Sequence, residues 1–316
     1  MMMKCLILAE AVAVTMIIAP AGASADPIRF EKGQRQLFLD DHIVARMQDV
    51  KRTLNRPMKH PQNPVLRREH PWEGFRLQVY GTAIYDPAEK LFKMWYMNIP
   101  KTARDKITVE GQRRPGHATL VSYATSQDGV EWHKPELNLV DYEGSTANNM
   151  VGPDMYNPEG FSVLFEPHDP DSARKYKAFY WDHGYGPLIM HKGQEIYGSG
   201  PKDGMHVAFS PDGTHWRPCE KNPVMKLGSD TGQVVLYDPG IERYVAFGRF
   251  GAGGRKVARS ESKDFIHWSK PVLVLQPDAK DGPNTQFYGI SIDLYEGIYV
   301  GLLWMFWIEE GNVGRT

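Results

Sequence analysis

Three acidic residues, Glu73, Glu159 and Asp230, lie in polar segments just before predicted strands, in distant parts of the chain. A pair of carboxyl groups that face one bond from opposite sides is the arrangement that hydrolyses glycosidic bonds. The two groups lie about 5 Å apart for retention and about 6.5–9.5 Å apart for inversion. We therefore predict Glu159 as the acid and Asp230 or Glu73 as the base. The alternative is that each carboxylate caps a turn or pairs with a neighbouring arginine.

Other polar and aromatic residues accompany these carboxylates at the same strand starts. Gln78-Val-Tyr-Gly81 and Gln286-Phe-Tyr-Gly289 are near copies, which indicates that the two strands are equivalent. The predicted substrate-binding residues are Trp72, Arg76, Gln78, Arg249, Gln286 and Tyr288, and further polar candidates are Asn157, Thr231 and Asn284. No spacing of histidines, cysteines or acidic residues predicts a metal, and no motif predicts a cofactor.

The elements that would position these residues are repeated along the chain. Three segments, 123–132, 207–216 and 258–268, each read as a short strand, then Ser-x-Asp, then three residues, then Trp. The Ser and Asp side chains can accept hydrogen bonds from turn amides, so each segment predicts a hairpin whose Trp begins the return strand and packs inward. In the third copy Phe265 replaces the turn glycine, so we expect a different turn type there.

A second repeat lies before each of these hairpins. Segments 79–97, 161–181, 234–250 and 287–307 read as strand, turn, strand. Together the two repeats give four antiparallel strands per unit, which is the pattern of a β-propeller blade. A β-sandwich is the alternative, but it does not need the same Asp turn and Trp in every unit.

The sequence therefore predicts an all-β propeller of the five-bladed type over residues 56–316. The blades are expected at about 56–140, 155–225, 230–275 and 284–316. The last contains only its first two strands, so we expect a propeller truncated in its fourth blade, with an exposed apolar edge.

The first residues predict export. Lys4 precedes an apolar run from Cys5 to Ala19, and Ala23-Ser-Ala25 has the small residues of a cleavage site. We expect a signal peptide over 1–25, an N-terminal arm over 26–55, and a secreted or periplasmic protein. A membrane anchor is the alternative, but the run is shorter than the roughly 20 residues that span a bilayer.

Composition excludes some partners and permits others. The chain of 316 residues has 37 basic and 38 acidic residues and a formal net charge of −1, which gives no electrostatic reason to expect nucleic acid or an anionic membrane surface. Aromatic residues make up 11% of the chain, and they suit short strands as well as the faces of sugar rings.

The blade motifs resemble a known group of enzymes. Ser262-Lys-Asp-Phe-Ile-His-Trp268 and the segment 123–129 are similar to blades of glycoside hydrolase families 32, 43 and 68. The segment 60–66 is similar to the start of their first blade. Segments 37–44 and 286–289 are similar to bacterial proteins described as having a family 32 N-terminal domain. The resemblance spans about 37–307 and implies a glycoside hydrolase.

The resemblance does not carry catalytic residues with it. Fructan-acting members have Arg-Asp-Pro and Glu-Cys motifs, and this chain has neither. We therefore keep three functions open, all at the propeller funnel: a glycoside hydrolase, a non-catalytic carbohydrate-binding propeller, and a scaffold for protein contacts. Trp72, Tyr80 and Tyr288 argue against the scaffold, since it would favour a funnel poor in aromatic residues.

Overall fold

The computed structural model describes two compact units, Met1–Asn55 and Arg56–Thr316. The described residues are 29, 32–33, 35–74, 76–99, 108–109, 112–113, 119–152, 154–184, 188–191, 194–197, 200–251 and 254–308. The predicted signal peptide lies outside them. In the described part of the first unit the chain forms turns and extended segments, and Arg52 pairs with Asp41.

The second unit consists of strands joined by turns and loops, with two short 3-10 turns at Pro71–Glu73 and Ser172–Arg174. The strands are β1 (Arg76–Asp86), β2 (Leu91–Ile99), β3 (Thr108–Val109), β4 (Gln112–Arg113), β5 (Leu120–Ser126), β6 (Met150–Val151), β7 (Pro158–Phe165), β8 (Tyr176–Asp182), β9 (Leu188–His191), β10 (Gln194–Tyr197), β11 (Gly204–Ser210), β12 (Arg217–Pro218), β13 (Val234–Asp238), β14 (Arg243–Gly248), β15 (Val257–Ser262), β16 (Val272–Leu275), β17 (Thr285–Tyr295) and β18 (Ile298–Trp307).

Three sheets have four antiparallel strands each, in the orders β1-β2-β5-β6, β7-β8-β11-β12 and β13-β14-β15-β16. We call these blades 1, 2 and 3, and the β17-β18 pair is blade 4. The predicted all-β class and the predicted order of strands within a blade are confirmed. In blade 1, however, the fourth strand does not follow the Asp turn directly, because a long connection precedes β6.

The first strands of the blades lie side by side. Strand β1 packs against β7, β7 against β13, and β13 against β17. The ring of Tyr80 in β1 in turn contacts Trp304 in β18, with centroids 5.7 Å apart. The four sheets are therefore arranged around one axis, as blades are in a propeller. The five-blade count stays a prediction.

Aromatic side chains fill the space between blades 1 and 2. Trp95 of β2 is fully buried, and its indole donates a hydrogen bond of 2.7 Å to the carbonyl of Gly213 in the Asp turn of blade 2. A Cβ at Gly213 would lie 2.7 Å from the Trp95 ring, so the close approach requires glycine. The cluster also contains Phe161, Tyr176 and Trp216.

The Asp turns have the predicted hydrogen bonds. In blade 2, Ser210 Oγ accepts from the Gly213 amide at 2.8 Å, and Asp212 Oδ1 accepts from the next two amides at 2.8 Å each. Asp128 in blade 1 and Asp264 in blade 3 accept the equivalent pairs of amides. One carboxylate thus satisfies the turn amides in each blade.

The expectation of a different turn at Phe265 was wrong. Phe265 has φ of +69°, close to the +77° of Gly129 and the +84° of Gly213, so all three turns share one conformation. A left-handed non-glycine residue costs about 1–3 kcal/mol. The Phe265 ring is fully buried against Tyr244 and Trp268, and burial of a phenylalanine contributes about 1.5–3 kcal/mol, which offsets the strain.

A recurrent hydrogen bond joins neighbouring blades. A tyrosine at the start of the second strand of one blade donates to a carboxylate at the first hairpin of the preceding blade. The pairs are Tyr176 with Asp86 at 3.3 Å, Tyr244 with Glu166 at 3.0 Å, and Tyr299 with Asp238. Buried Lys93 and Lys177 form ion pairs with the first two of these carboxylates, at 2.9 and 2.5 Å, so the charges are compensated.

We expect Tyr244→Phe to lower the free energy of unfolding by about 1.5 kcal/mol, because it removes a hydrogen bond to a charged acceptor. Urea unfolding followed by tryptophan fluorescence measures the change. Tyr237→Phe is the matched control, since Tyr237 lies across from Tyr244 in the same sheet with its side chain partly exposed. Equal effects of the two substitutions would show that the bond between blades contributes nothing specific.

Candidate functional site

Irregular pairing in three of the inner strands directs side chains toward the axis. The register shifts between Gln78 and Thr82 in β1, after Glu159 in β7, and between Phe287 and Gly289 in β17. A β-bulge leaves a residue out of the ladder and turns its side chain, and bulges are common beside functional sites. The three bulges occur at equivalent places in blades 1, 2 and 4.

Two tyrosines from the bulged segments meet at the axis. The hydroxyl groups of Tyr80 and Tyr288 share a hydrogen bond, and burial together with this bond raises the pKa of Tyr80 to about 12. Gly289, which follows Tyr288, lets β17 lie close to blade 3, because a Cβ there would lie 2.8 Å from Thr231 Oγ1 and 3.0 Å from the Trp304 ring. The repeated Tyr-Gly pair predicted from the sequence thus forms an aromatic surface between blades 1 and 4.

Arg249, which follows β14, joins this surface to blade 3. Its guanidinium lies 5.0 Å from the centroid of the Tyr288 ring, and its side chain is only 10% exposed. It forms an ion pair with Asp230. The Arg249 amide also donates to Ser229 Oγ at 3.1 Å, so both its backbone and its side chain are fixed.

Both predicted catalytic carboxylates act on Arg249, Asp230 through its ion pair and Glu159 through its charge. The Asp230 side chain is 60% exposed. The Glu159 side chain is 22% exposed, and its charge interacts with that of Arg249. Glu159 Oε1 lies 3.4 Å from His183 Nε2, and the His183 ring packs on Trp181 with centroids 3.9 Å apart. The site therefore has one accessible carboxylate on blade 2 and another on blade 3.

Backbone contacts fix the Glu159 segment. Its carbonyl accepts a hydrogen bond of 2.8 Å from Nε2 of buried Gln233, in blade 3. Gly160 has φ of +61°, and a Cβ there would lie 2.4 Å from the carbonyl oxygen of Thr231. The bulge after Glu159 therefore requires glycine and packs tightly against blade 3.

The predicted substrate-binding residues have different positions. Arg249, Gln286 and Tyr288 lie together at the axis. We call them, with their neighbours Tyr80, Arg255, Trp304 and Phe306, the axial cluster. Arg76 is exposed, and its charge acts on Tyr80. Gln78 is half-buried at the bulge of β1.

The three other polar candidates lie outside the open part of the site. Asn157 is buried and its Oδ1 accepts a hydrogen bond of 2.7 Å from the Thr119 amide. Thr231 is fully buried, and Asn284 is an exposed turn residue with φ of +63°.

Glu73 does not fit the predicted role of catalytic base. Its side chain is fully buried, and its carboxylate accepts hydrogen bonds from the amides of Glu69 and His70, at 2.6 and 3.0 Å, and from the Tyr96 hydroxyl at 2.7 Å. Lys134 Nζ lies 2.8 Å away in an ion pair. Both oxygens are therefore occupied and closed to a substrate. The 3-10 turn at Pro71–Glu73 ends on Glu73 and buries its side chain.

Trp72 does not lie in the axial cluster either. Its indole donates to Asn149 Oδ1 at 2.8 Å, stacks on His70 with centroids 4.5 Å apart, and packs beside Tyr142 and Met150. It therefore packs against the buried cluster of blade 1.

Sequence reasoning missed several residues of the axial cluster. Arg255 donates to Gln286 Oε1 at 2.6 Å and lies over the rings of Tyr288 and Phe306. Trp304 and Phe306 lie in the apolar run of β18, which the sequence predicts as an exposed edge. The segment Gln286–Gly289 is a near copy of Gln78–Gly81, and this repeat marks Gln286 as a site residue. It is the one sequence signal that could have pointed to Arg255, the hydrogen-bond partner of Gln286.

Other features constrain the chemistry. In the part of the chain that the structure describes, no three His, Cys, Asp or Glu side chains are grouped as a metal site. No helix among the described residues is long and apolar enough to cross a membrane. A separate cavity of about 310 Å³ lies in blade 2, with Asp154, Lys202 and His206 among its lining residues.

No family model matches this chain, and no curated protein sequence matches it. Solved structures do match. A fructofuranosidase from Schwanniomyces occidentalis complexed with fructosylnystose has 14% identity and a TM-score of 0.43, with 72% of this chain and 40% of that chain covered. A GH43 β-1,3-galactosidase has 14% identity and a TM-score of 0.40, with 72% and 40% covered. A β-1,2-mannobiose phosphorylase from Listeria innocua has 10% identity and a TM-score of 0.46, with 72% and 69% covered.

The matched structures include enzymes of GH32 and GH43, which are families that the blade motifs resemble. The match spans only 40% of the length of the fructofuranosidase.

We expect Glu73→Gln to destabilise the fold at pH 7. Burial disfavours the charged form, but the bonds from Glu69, Lys134, Tyr96 and His70 outweigh it and hold the pKa of Glu73 below its ordinary value of 4.5. Breaking a buried ion pair costs about 3–5 kcal/mol, and because Lys134 keeps a second partner, Glu69, we expect a loss of about 2 kcal/mol.

The pH dependence gives the sign of this effect. A carboxylate whose pKa is lowered by folding contributes stability above its unfolded pKa, and that stability is lost as the pH falls through the folded value. The difference between wild type and Glu73→Gln in urea unfolding should therefore shrink below about pH 4.5. Glu69→Gln is the control, since its side chain is 60% exposed and should matter little. A constant difference down to pH 2 would contradict this account of Glu73.

Proposed function

We propose that this protein hydrolyses glycosidic bonds of an oligo- or polysaccharide at the axial site, with Glu159 and Asp230 as the catalytic carboxylates. One observation carries the proposal: Asp230 is paired with Arg249, which lies over the Tyr288 ring, and the charge of Glu159 from the neighbouring blade acts on the same arginine. Tyrosine rings suit the apolar face of a sugar, and the surrounding polar groups suit its hydroxyls. Glu73 is left out of the pair, because it is buried and fully bonded.

The environments of the two carboxylates favour different roles. Asp230 is paired with a guanidinium, which suits a group that acts in its charged form, as base or nucleophile. Glu159 has no such direct pair with an arginine among the described residues, and it faces His183. In the proposed step Glu159 gives its proton to the oxygen of the leaving sugar as the C–O bond breaks. Water then adds to the anomeric carbon. It does so either directly, with loss of a proton to Asp230, or by displacing Asp230 from a covalent glycosyl intermediate, with loss of the proton to Glu159.

We expect Asp230→Asn and Glu159→Gln each to lower the rate of glycan hydrolysis at least about 100-fold, the range of a lost acid or base group. A panel of neutral and acidic oligosaccharides, with detection of new reducing ends, identifies the substrate on the wild-type chain. Binding of that substrate to the variants should change far less than its turnover.

Glu242→Gln is the matched control, because Glu242 is an exposed carboxylate in the β13–β14 turn. Unchanged hydrolysis in Asp230→Asn would remove Asp230 from the mechanism. Sugar binding with no hydrolysis of any glycan in the panel would favour the alternative function, a non-catalytic carbohydrate-binding propeller.

We also propose that the protein is exported, as the sequence of residues 1–25 predicts. N-terminal sequencing of the protein made by its own host should give Asp26 as the first residue. A mature chain that still begins at Met1 would contradict the proposal.

A further inference from the structure

Arg255 is the most tightly enclosed cation of the axial cluster that has no acidic partner among the described residues. Its guanidinium lies 5.2 Å from the centroid of the Tyr288 ring and 4.6 Å from that of Phe306. Nη1 donates to Gln286 Oε1 at 2.6 Å, and the Arg255 carbonyl accepts from the Phe287 amide at 3.0 Å. These contacts fix the side chain in place, so its position is prepared before any ligand binds.

Among the described residues, no acidic side chain compensates the charge of Arg255. Gln286 is neutral, and the two rings attract a cation but do not neutralise it. Two other arginines of this part of the chain differ in this respect: Arg249 is paired with Asp230, and Arg259 with Glu261 at 2.9 Å. Removing a cation from water costs free energy unless an anion or hydrogen-bond acceptors replace the water. A ligand that carries an anionic group would supply this compensation.

The neighbours of Arg255 increase the positive charge. Arg249 and Arg255 both lie over the Tyr288 ring, at 5.0 and 5.2 Å. Burial lowers the pKa of Arg249, and the Tyr288 hydroxyl raises it. The charge of Arg255 lowers this pKa as well, because the two guanidiniums repel each other. The site therefore contains three guanidiniums and two carboxylates. They belong to Arg76, Arg249 and Arg255 and to Glu159 and Asp230.

We propose that the substrate is an anionic sugar and that Arg255 binds its carboxylate or sulfate group. The guanidinium offers its N–H donors in a planar fork, which matches a planar carboxylate or two oxygens of a sulfate. This inference rests on the proposed function, since it places the acidic sugar on the same axial surface where Glu159 and Asp230 act.

The test compares Arg255→Met with Arg259→Met in the full chain. Methionine keeps apolar contact with the rings and removes the charge. Arg259 is the matched control, because it also lies over two rings, Tyr299 at 5.1 Å and Phe247 at 5.9 Å, but it already has an acidic partner. The probes are oligogalacturonate, a sulfated galactan oligosaccharide and a neutral galactan oligosaccharide, and calorimetry measures their binding.

We expect wild type to bind one of the two anionic oligosaccharides at least about 10-fold more tightly than the neutral one, as for a charged hydrogen bond. Arg255→Met should abolish this preference, while Arg259→Met should keep it. The preferred anion decides between carboxylate and sulfate. If Arg255→Met does not fold, Arg255→Lys keeps the charge without the fork and should reduce the preference.

No preference of wild type for either anionic probe would overturn the inference, as would the same preference in Arg255→Met and in Arg259→Met. These outcomes test anion binding by Arg255 separately from the proposed hydrolysis. Preferential binding of an anionic probe without cleavage would contradict hydrolysis alone, and cleavage of neutral glycans without any preference would contradict the role of Arg255 alone.

Discussion

The first strands of the blades must pack side by side around one axis, and the rest of the second unit follows from this constraint. Each blade can bury its faces only against its neighbours, so the core is formed between sheets. Trp95 illustrates this, since the indole of one blade bonds to the turn of the next. The tyrosine–carboxylate bonds, such as Tyr244 with Glu166, fix the blades to one another at the first hairpins.

The same packing explains why the candidate site is at the axis. Bulges beside glycine interrupt the inner strands of blades 2 and 4, where Gly160 and Gly289 allow close approach to blade 3. The displaced side chains come from different blades and converge. Arg249 then interacts with both carboxylates and with the aromatic surface, so the electrostatics of the site depend on its burial beside Tyr288.

Features of the fold that depend on neighbouring residues could be predicted from short sequence patterns. The Asp turns, the hairpins and the equivalence of the Tyr80 and Tyr288 strands follow from short motifs with a hydrogen-bonding or steric cause. The error at Phe265 arose because buried ring contacts outweighed a backbone preference. Glu73 was misplaced because its partner Lys134 is distant in sequence. Arg255 was missed for the same reason, since Gln286 and Phe306 come from the following blade.

We propose above all that a sugar binds at the axis, against Tyr288 and Arg249. A crystal structure of the protein soaked with an oligosaccharide that it binds tests this most directly. We predict a sugar ring against Tyr288, with a glycosidic oxygen near Glu159 and Asp230. A sugar bound instead in the blade 2 cavity beside Asp154, with the axial surface empty, would contradict it.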